Sequence, residues 1–163
     1  MNSFDTVDVI AACHEYSPNL KVPSELDPFK VMLAIAAVES GGADPSFAGH
    51  DCGPRFEPAY YKDGYFYKRS QKVQDLVEKF DRDGASSFGP WQMMFCNFSS
   101  SRTPEDLLIN LDFCAEDFVT WFNSYVIHQN PVSLEEIGQI WNAGHKTPDS
   151  PYTIKLQKAY NLI

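Results

Sequence analysis

Val31 to Val38 reads V-M-L-A-I-A-A-V, eight residues without a polar side chain, and Glu39 follows at once. Ser40, Gly41 and Gly42 come next. A carboxyl group at the C-terminal end of so apolar a helix is desolvated and faces the negative end of the helix dipole. Both effects disfavour its charged form and raise its pKa above the ~4.3 of a free glutamate. A glutamate that keeps its proton near neutral pH is a general acid, the group that protonates the leaving oxygen in glycoside cleavage. The plainer alternative is a helix-end carboxylate turned to water or capping the Ser-Gly-Gly turn.

Other reactive side chains lack the spacing for other chemistries. His14, His50, His128 and His145 show neither H-x-x-x-H nor H-E-x-x-H, so a metalloprotease site is not expected. Cys13, Cys52, Cys96 and Cys114 contain no C-x-x-C pair, and no metal site is expected from them. Four cysteines permit three disulfide pairings, and nothing in the sequence selects one. A cysteine peptidase using Cys52 or Cys96 with His145 has the residue types, but nothing brings the pairs together. G-H-D-C at 49–52 reads as loop residues, and no glycine-rich phosphate loop is present. No cofactor is expected.

Three strings fall in order along the chain: E-S-G-G at 39–42, G-A-S-S-F-G-P-W-Q-M-M at 84–94, and W-N-A-G-H at 141–145. Their order and chemistry resemble the lysozyme-like superfamily, specifically the soluble lytic transglycosylases and goose-type lysozymes, which show E-S, then G-L-M-Q, then Y-N-A-G. The resemblance spans about Phe29 to Gly144. It implies an enzyme that cleaves the β-1,4 bond between N-acetylmuramic acid and N-acetylglucosamine in bacterial peptidoglycan, with Glu39 as general acid.

By the same resemblance, Ser87, Gly89 and Gln92 form the floor and edge of a glycan cleft. A glycine lets a sugar approach the backbone closely, and an amide can donate to and accept from an N-acetyl group. A hydrogen bond within the turn is the alternative for Gln92. Trp141 stands where the family has tyrosine and offers an N–H donor and a large apolar face but no hydroxyl; core packing is its favoured role. Asn142 is expected to orient Glu39 or a sugar amide, unless it only ends a helix.

Goose-type lysozymes place an aspartate nine residues before the motif glutamine, and Asp83 occupies that position. The resemblance makes Asp83 the base that activates water in an inverting hydrolysis; a turn role in D-R-D-G is its alternative. The family's second aspartate is replaced by Met94, with Asp81 as a nearby substitute. Without a base at Asp83, the resemblance implies the lytic transglycosylase route, in which one carboxyl serves as acid and then base and the sugar's own 6-hydroxyl attacks to give a 1,6-anhydro product. R-F-E-P-A-Y-Y at 55–61 resembles R-[FY]-E-P-x-[FY] of some phage- and bacteria-encoded relatives. It makes Glu57 a candidate cleft carboxylate, with an ion pair to Arg55 as the alternative. Tyr60, with Tyr61, Tyr65 and Tyr67, becomes a candidate for stacking on sugar rings.

These residues need elements to hold them. Asp27-Pro28 is an N-cap followed by proline at the first helical position, and Gly41-Gly42 is a stop, so a helix is predicted over 28–40, buried on all sides. A first helix is expected over 4–15 and an amphipathic one over 71–80. Residues 43–69, rich in Gly, Pro and Tyr, are expected to be irregular, with a turn near Pro58. W-Q-M-M-F reads as a short element. Thr103-Pro104 opens a long helix predicted to reach about His128. Ser133 and Glu136 form a capping box for a helix that stops at Gly144, and Ser150-Pro151 starts the last one. No strong hairpin signal is present. The expected class is mainly α, a single domain over 1–163 with a long irregular insertion in its first half, and by resemblance lysozyme-like.

The 163 residues are 44% hydrophobic and 14% aromatic, enough for one globular core. The net charge of −9 argues against nucleic acid as a partner, since phosphate backbones are bound by clustered Lys and Arg. No segment approaches the ~20 apolar residues of a membrane span. The first ten residues hold two aspartates and no basic residue, unlike a secretory signal. The expectation is a monomer acting on peptidoglycan glycan strands: a phage lysin released from the host cytoplasm, a virion-associated enzyme, or a domain of a larger chain. The non-catalytic alternative is a glycan-binding or structural domain of a phage or secretion assembly.

Overall fold

The apolar run before Glu39 lies in a helix, α2 (Pro28–Ser40), capped by the Asp27 carboxylate, which accepts from Phe29 N at 2.9 Å. Residues Val31 to Ala37 are all buried, so α2 is surrounded by the rest of the chain. The computed structural model describes residues 2–148 and 150–163. The fold is mainly α, in a single domain.

Helix α1 (Thr6–Tyr16) lies against α2. After α2 come a short strand β1 (Arg55–Phe56), a one-turn helix α3 (Tyr65–Arg69) and α4 (Gln71–Phe80). Strands β2 (Ser86–Phe88) and β3 (Met93–Met94) follow, then α5 (Pro104–Ile109), α6 (Leu111–Trp121), α7 (Leu134–Ala143) and α8 (Pro151–Leu162). Helix α8 packs against both α2 and α7. Gly138 on α7 lets it come close, because a Cβ there would stand 3.1 Å from Leu156 and 3.2 Å from Thr153.

The main core gathers α1, α2, α6, α7 and α8 around Met32, Ile35, Trp91, Phe118, Phe122 and Ile140. A smaller cluster around Val73, Val77 and Ala85 sits beneath the tyrosine-rich segment. None of the described helices is long and apolar enough to cross a membrane.

Four expectations are corrected. The absence of a hairpin signal misleads, because β1, β2 and β3 form an antiparallel sheet in that order, with Arg55 opposite Ser87 and Ser87 opposite Met94. Its strands are too short to show alternation. The turn expected near Pro58 is present at Pro58–Tyr60, but the segment 43–69 is otherwise more ordered than expected, since it also holds β1, α3 and a 3-10 turn at Pro45–Phe47. The helix predicted from 104 to about 128 breaks at Asn110, which ends α5 in extended conformation and caps α6 through its side chain to Phe113 N at 3.1 Å. Beyond Trp121 the chain continues as one π-helical stretch, Phe122–Val126, and a 3-10 turn, Ile127–Gln129. The capping box at Ser133 is half formed. Ser133 Oγ accepts from Glu136 N at 3.2 Å, but Glu136 reaches back to Val132 N at 2.8 Å.

Candidate active site

Three helix ends meet at Glu39. It occupies the last turn of α2, Trp141 the last turn of α7, and Tyr152 the first turn of α8. Trp141 Nε1 donates to Glu39 Oε1 at 2.9 Å, and Tyr152 Oη donates to the same oxygen at 2.9 Å. Among the described residues, no donor reaches Oε2. In a protonated carboxyl the oxygen that accepts twice is the carbonyl oxygen, so the proton belongs on Oε2. Burial pushes the Glu39 carboxyl above the usual glutamate range. The Trp141 and Tyr152 hydrogen bonds and the charge of Arg55 oppose it, and the charge of Glu57 adds to it. Tyr152 is held well above the ordinary tyrosine value, first by burial and then by the neighbouring Glu39 charge.

Ser40 has a purely supporting place. Its hydroxyl donates to Ala36 O at 2.8 Å and accepts from Gly49 N at 2.8 Å, which fastens the following loop to the end of α2.

The turn between β2 and β3 faces this carboxyl. Trp91 is buried in the core, donates to Met32 O on α2 at 3.0 Å, and stacks on Phe118. That anchor ties the turn to the helix that carries Glu39. Gln92 takes φ 47° and lines the groove. Its amide is fixed on both ends, with Nε2 donating to Gly89 O at 2.9 Å and Oε1 accepting from Ser87 Oγ at 2.9 Å. One amide N–H remains for a ligand.

Around Glu39 runs a groove of about 560 Å³. One wall carries Tyr60 stacked on Phe66, with ring centroids 4.5 Å apart. Another carries Trp121 stacked on Tyr125 at 4.7 Å. Tyr125 lies in the π-helical stretch, and its hydroxyl donates to Gly144 O at 2.9 Å, which ties that stretch to the end of α7. Glu57, Ser87, Gln92, Trp141 and Asn142 also line the groove.

The structure thus brings together Glu39, Glu57, Tyr60, Ser87, Gln92, Trp141 and Asn142. Trp141 combines core packing against Phe118 and Trp121 with a hydrogen bond to Glu39. Two expected residues lie elsewhere. Asp83 sits in the 3-10 turn Asp81–Ala85 and does not line the groove; partial burial and the charges of Glu105 and Asp81 raise its pKa. Gly89 faces the interior, where a Cβ would lie 2.9 Å from Cys114 Sγ; at φ 80° it shapes the turn and offers no surface to a ligand.

Of the other tyrosines, Tyr61 hydrogen-bonds Asp81, Tyr67 packs on the Val73 cluster, and Tyr65 lies under Arg69. Arg55 turns to Asp51 and to Glu39 O instead of pairing with Glu57. All four cysteines are free. Among the described residues no group of three or more His, Cys, Asp or Glu could hold a metal ion.

Phe66, Trp121 and Tyr125, which line the groove, and Tyr152, which hydrogen-bonds Glu39, are aromatic residues that the sequence motifs did not mark. Tyr152 lies beyond the last motif. The apolar spacing that marks α6 as a helix says nothing about which of its aromatics faces out.

Compared with protein-family models, curated proteins and solved structures, the chain finds no match.

Proposed function

We propose that this groove cleaves the β-1,4 glycosidic bond between N-acetylmuramic acid and N-acetylglucosamine in bacterial peptidoglycan, with Glu39 as general acid. The observation that carries the proposal is the one-sided hydrogen bonding of Glu39, with both donors on Oε1 and none on Oε2. A carboxyl so held presents its proton on a single oxygen, in a fixed direction, at a raised pKa. Those are the requirements for protonating a bridging oxygen as its bond to C1 breaks. After transfer the new carboxylate keeps two donors and the nearby Arg55, which stabilise its charge.

The groove's walls support a glycan as substrate. Aromatic faces suit the apolar side of a pyranose, and the free N–H of Gln92 suits an N-acetyl carbonyl. The three strings of the sequence support a lysozyme-like enzyme that acts at the bacterial cell wall. A one-carboxyl route ending in a 1,6-anhydro sugar is the second reading, favoured by the position of Asp83 outside the groove.

Purified peptidoglycan incubated with the protein is expected to clear and to release muropeptides readable by mass spectrometry. Glu39→Gln is expected to cut that release at least about a hundredfold without altering the circular dichroism spectrum. Walls that bind the protein but stay intact would instead identify a glycan-binding domain.

A further inference from the structure

We propose that Glu57 is the second carboxylate of the groove, the base that takes a proton from the attacking water, so that the protein hydrolyses its substrate. The inference rests on the glycosidase reading of Glu39.

Glu57 lines the same groove as Glu39, whereas Asp83 does not. Its placement follows from strand geometry. Alternate residues of an extended chain share a face, and both Arg55, in β1, and Glu57, at φ −117° and ψ 102°, are extended. Arg55 reaches the carbonyl of Glu39 at 3.2 Å. Arg55 and Glu57 both line the groove, and the charge of Glu57 is near enough to act on the Glu39 carboxyl. An inverting glycosidase needs a second carboxylate in the groove, set apart from the acid to admit a water.

The backbone of Glu57 is pinned by its N–H to Ala85 O at 2.9 Å. Its carboxylate makes no hydrogen bond or ion pair among the described residues, because Arg55 is engaged with Asp51 and Glu39 O. An unpaired carboxylate in the groove that holds Glu39 is free to bind water.

The step balances. Water oxygen forms the new bond to C1 while one of its protons passes to Glu57. The C1–O bond breaks, and the bridging oxygen takes the proton from Glu39 Oε2. Solvent exchange then returns Glu57 to its carboxylate and Glu39 to its acid.

Digests of purified peptidoglycan by the wild-type protein, Glu57→Gln, Glu57→Ala and Glu39→Gln test the inference. Muropeptides are sorted by mass into reducing and anhydro ends, and the first-formed anomer is read by NMR. The wild type is expected to give reducing ends in the α configuration. Glu57→Gln is expected to lower their formation at least about a hundredfold with unchanged wall binding and melting temperature. Glu57→Ala should be partly restored by formate. Anhydro ends or β-configured ends from the wild type, a near wild-type rate in Glu57→Gln, or loss of activity through wall binding alone would overturn the base role and leave Glu39 as the acid. Undiminished release by Glu39→Gln, or no release by the wild type, would overturn the underlying glycosidase reading and this inference with it.

Discussion

Tyr152 donates its hydroxyl to Oε1 of Glu39 across 113 positions of sequence, at 2.9 Å. Trp141 does the same from 102 positions away. The two donors favour the carboxylate while burial favours the neutral acid. The acidity of Glu39 is therefore a balance, set by residues on two other helices.

Removing one donor tips that balance. Tyr152→Phe keeps the ring and deletes the hydroxyl, so the pKa of Glu39 rises further. The basic limb of the kcat/KM profile on peptidoglycan is expected to move to higher pH. Loss of orientation should lower kcat about tenfold, the effect of one hydrogen bond to a charged group, with KM unchanged. Trp141→Phe should behave alike. A profile that keeps its basic limb in both variants would show that another group is the acid.

The protonation of Glu39 also links pH to stability. Its pKa is higher folded than unfolded, so the native state binds the proton more tightly. Stability is then lost as pH rises from the unfolded value near ~4.3 through the raised folded value. Glu39→Gln removes that penalty. Its melting temperature is expected to exceed the wild type's at pH 7. The difference should shrink to nothing below about pH 4. Thermal scans across that range check it, and an equal difference at both ends would show that the titration of Glu39 is not its source.

The sequence made the helices legible wherever capping and periodicity agree, as at Asp27-Pro28 and Ser133. It also exposed Glu39, because a carboxylate that ends an apolar run stands out without any fold. The break at Asn110 was hidden, since Leu107, Leu111 and Ala115 keep helical spacing across it. The hairpin was hidden because strands of two or three residues have no period to read. Tyr152 was hidden for a different reason. Its role depends on how α8 packs against α2 and α7, which the core and the close α7–α8 approach at Gly138 set and no local pattern records. Asp83 shows the converse, for its spacing from Gln92 matched a motif while the 3-10 turn carried it out of the groove.

That displacement has a direct consequence. Asp83→Asn alters a partly exposed turn residue away from the groove. Peptidoglycan release is expected to stay within about twofold of wild type, since surface changes away from special features rarely exceed about 0.5 kcal/mol. Product masses should not change either. A loss comparable to that of Glu39→Gln would return the base role to Asp83.

The loop that leads from the groove to α5 hangs on one buried ion pair. Asp117 on α6 accepts from Ser99 N at 3.0 Å and from Arg102 Nε at 3.1 Å and Nη2 at 3.2 Å. Arg102 also bonds Glu116 at 3.0 Å and lies over the Phe113 ring. The two acids differ in exposure, with side chains 8% accessible at Asp117 and 60% at Glu116. Asp117→Ala strands a guanidinium and a backbone N–H, at a cost of about 3 kcal/mol. Glu116→Ala removes a screened surface pair worth less than about 1 kcal/mol. Thermal melts should place Asp117→Ala about 6–12 °C below wild type and Glu116→Ala within about 4 °C of it. Equal losses in the two variants would mean that burial does not set the strength of this pair.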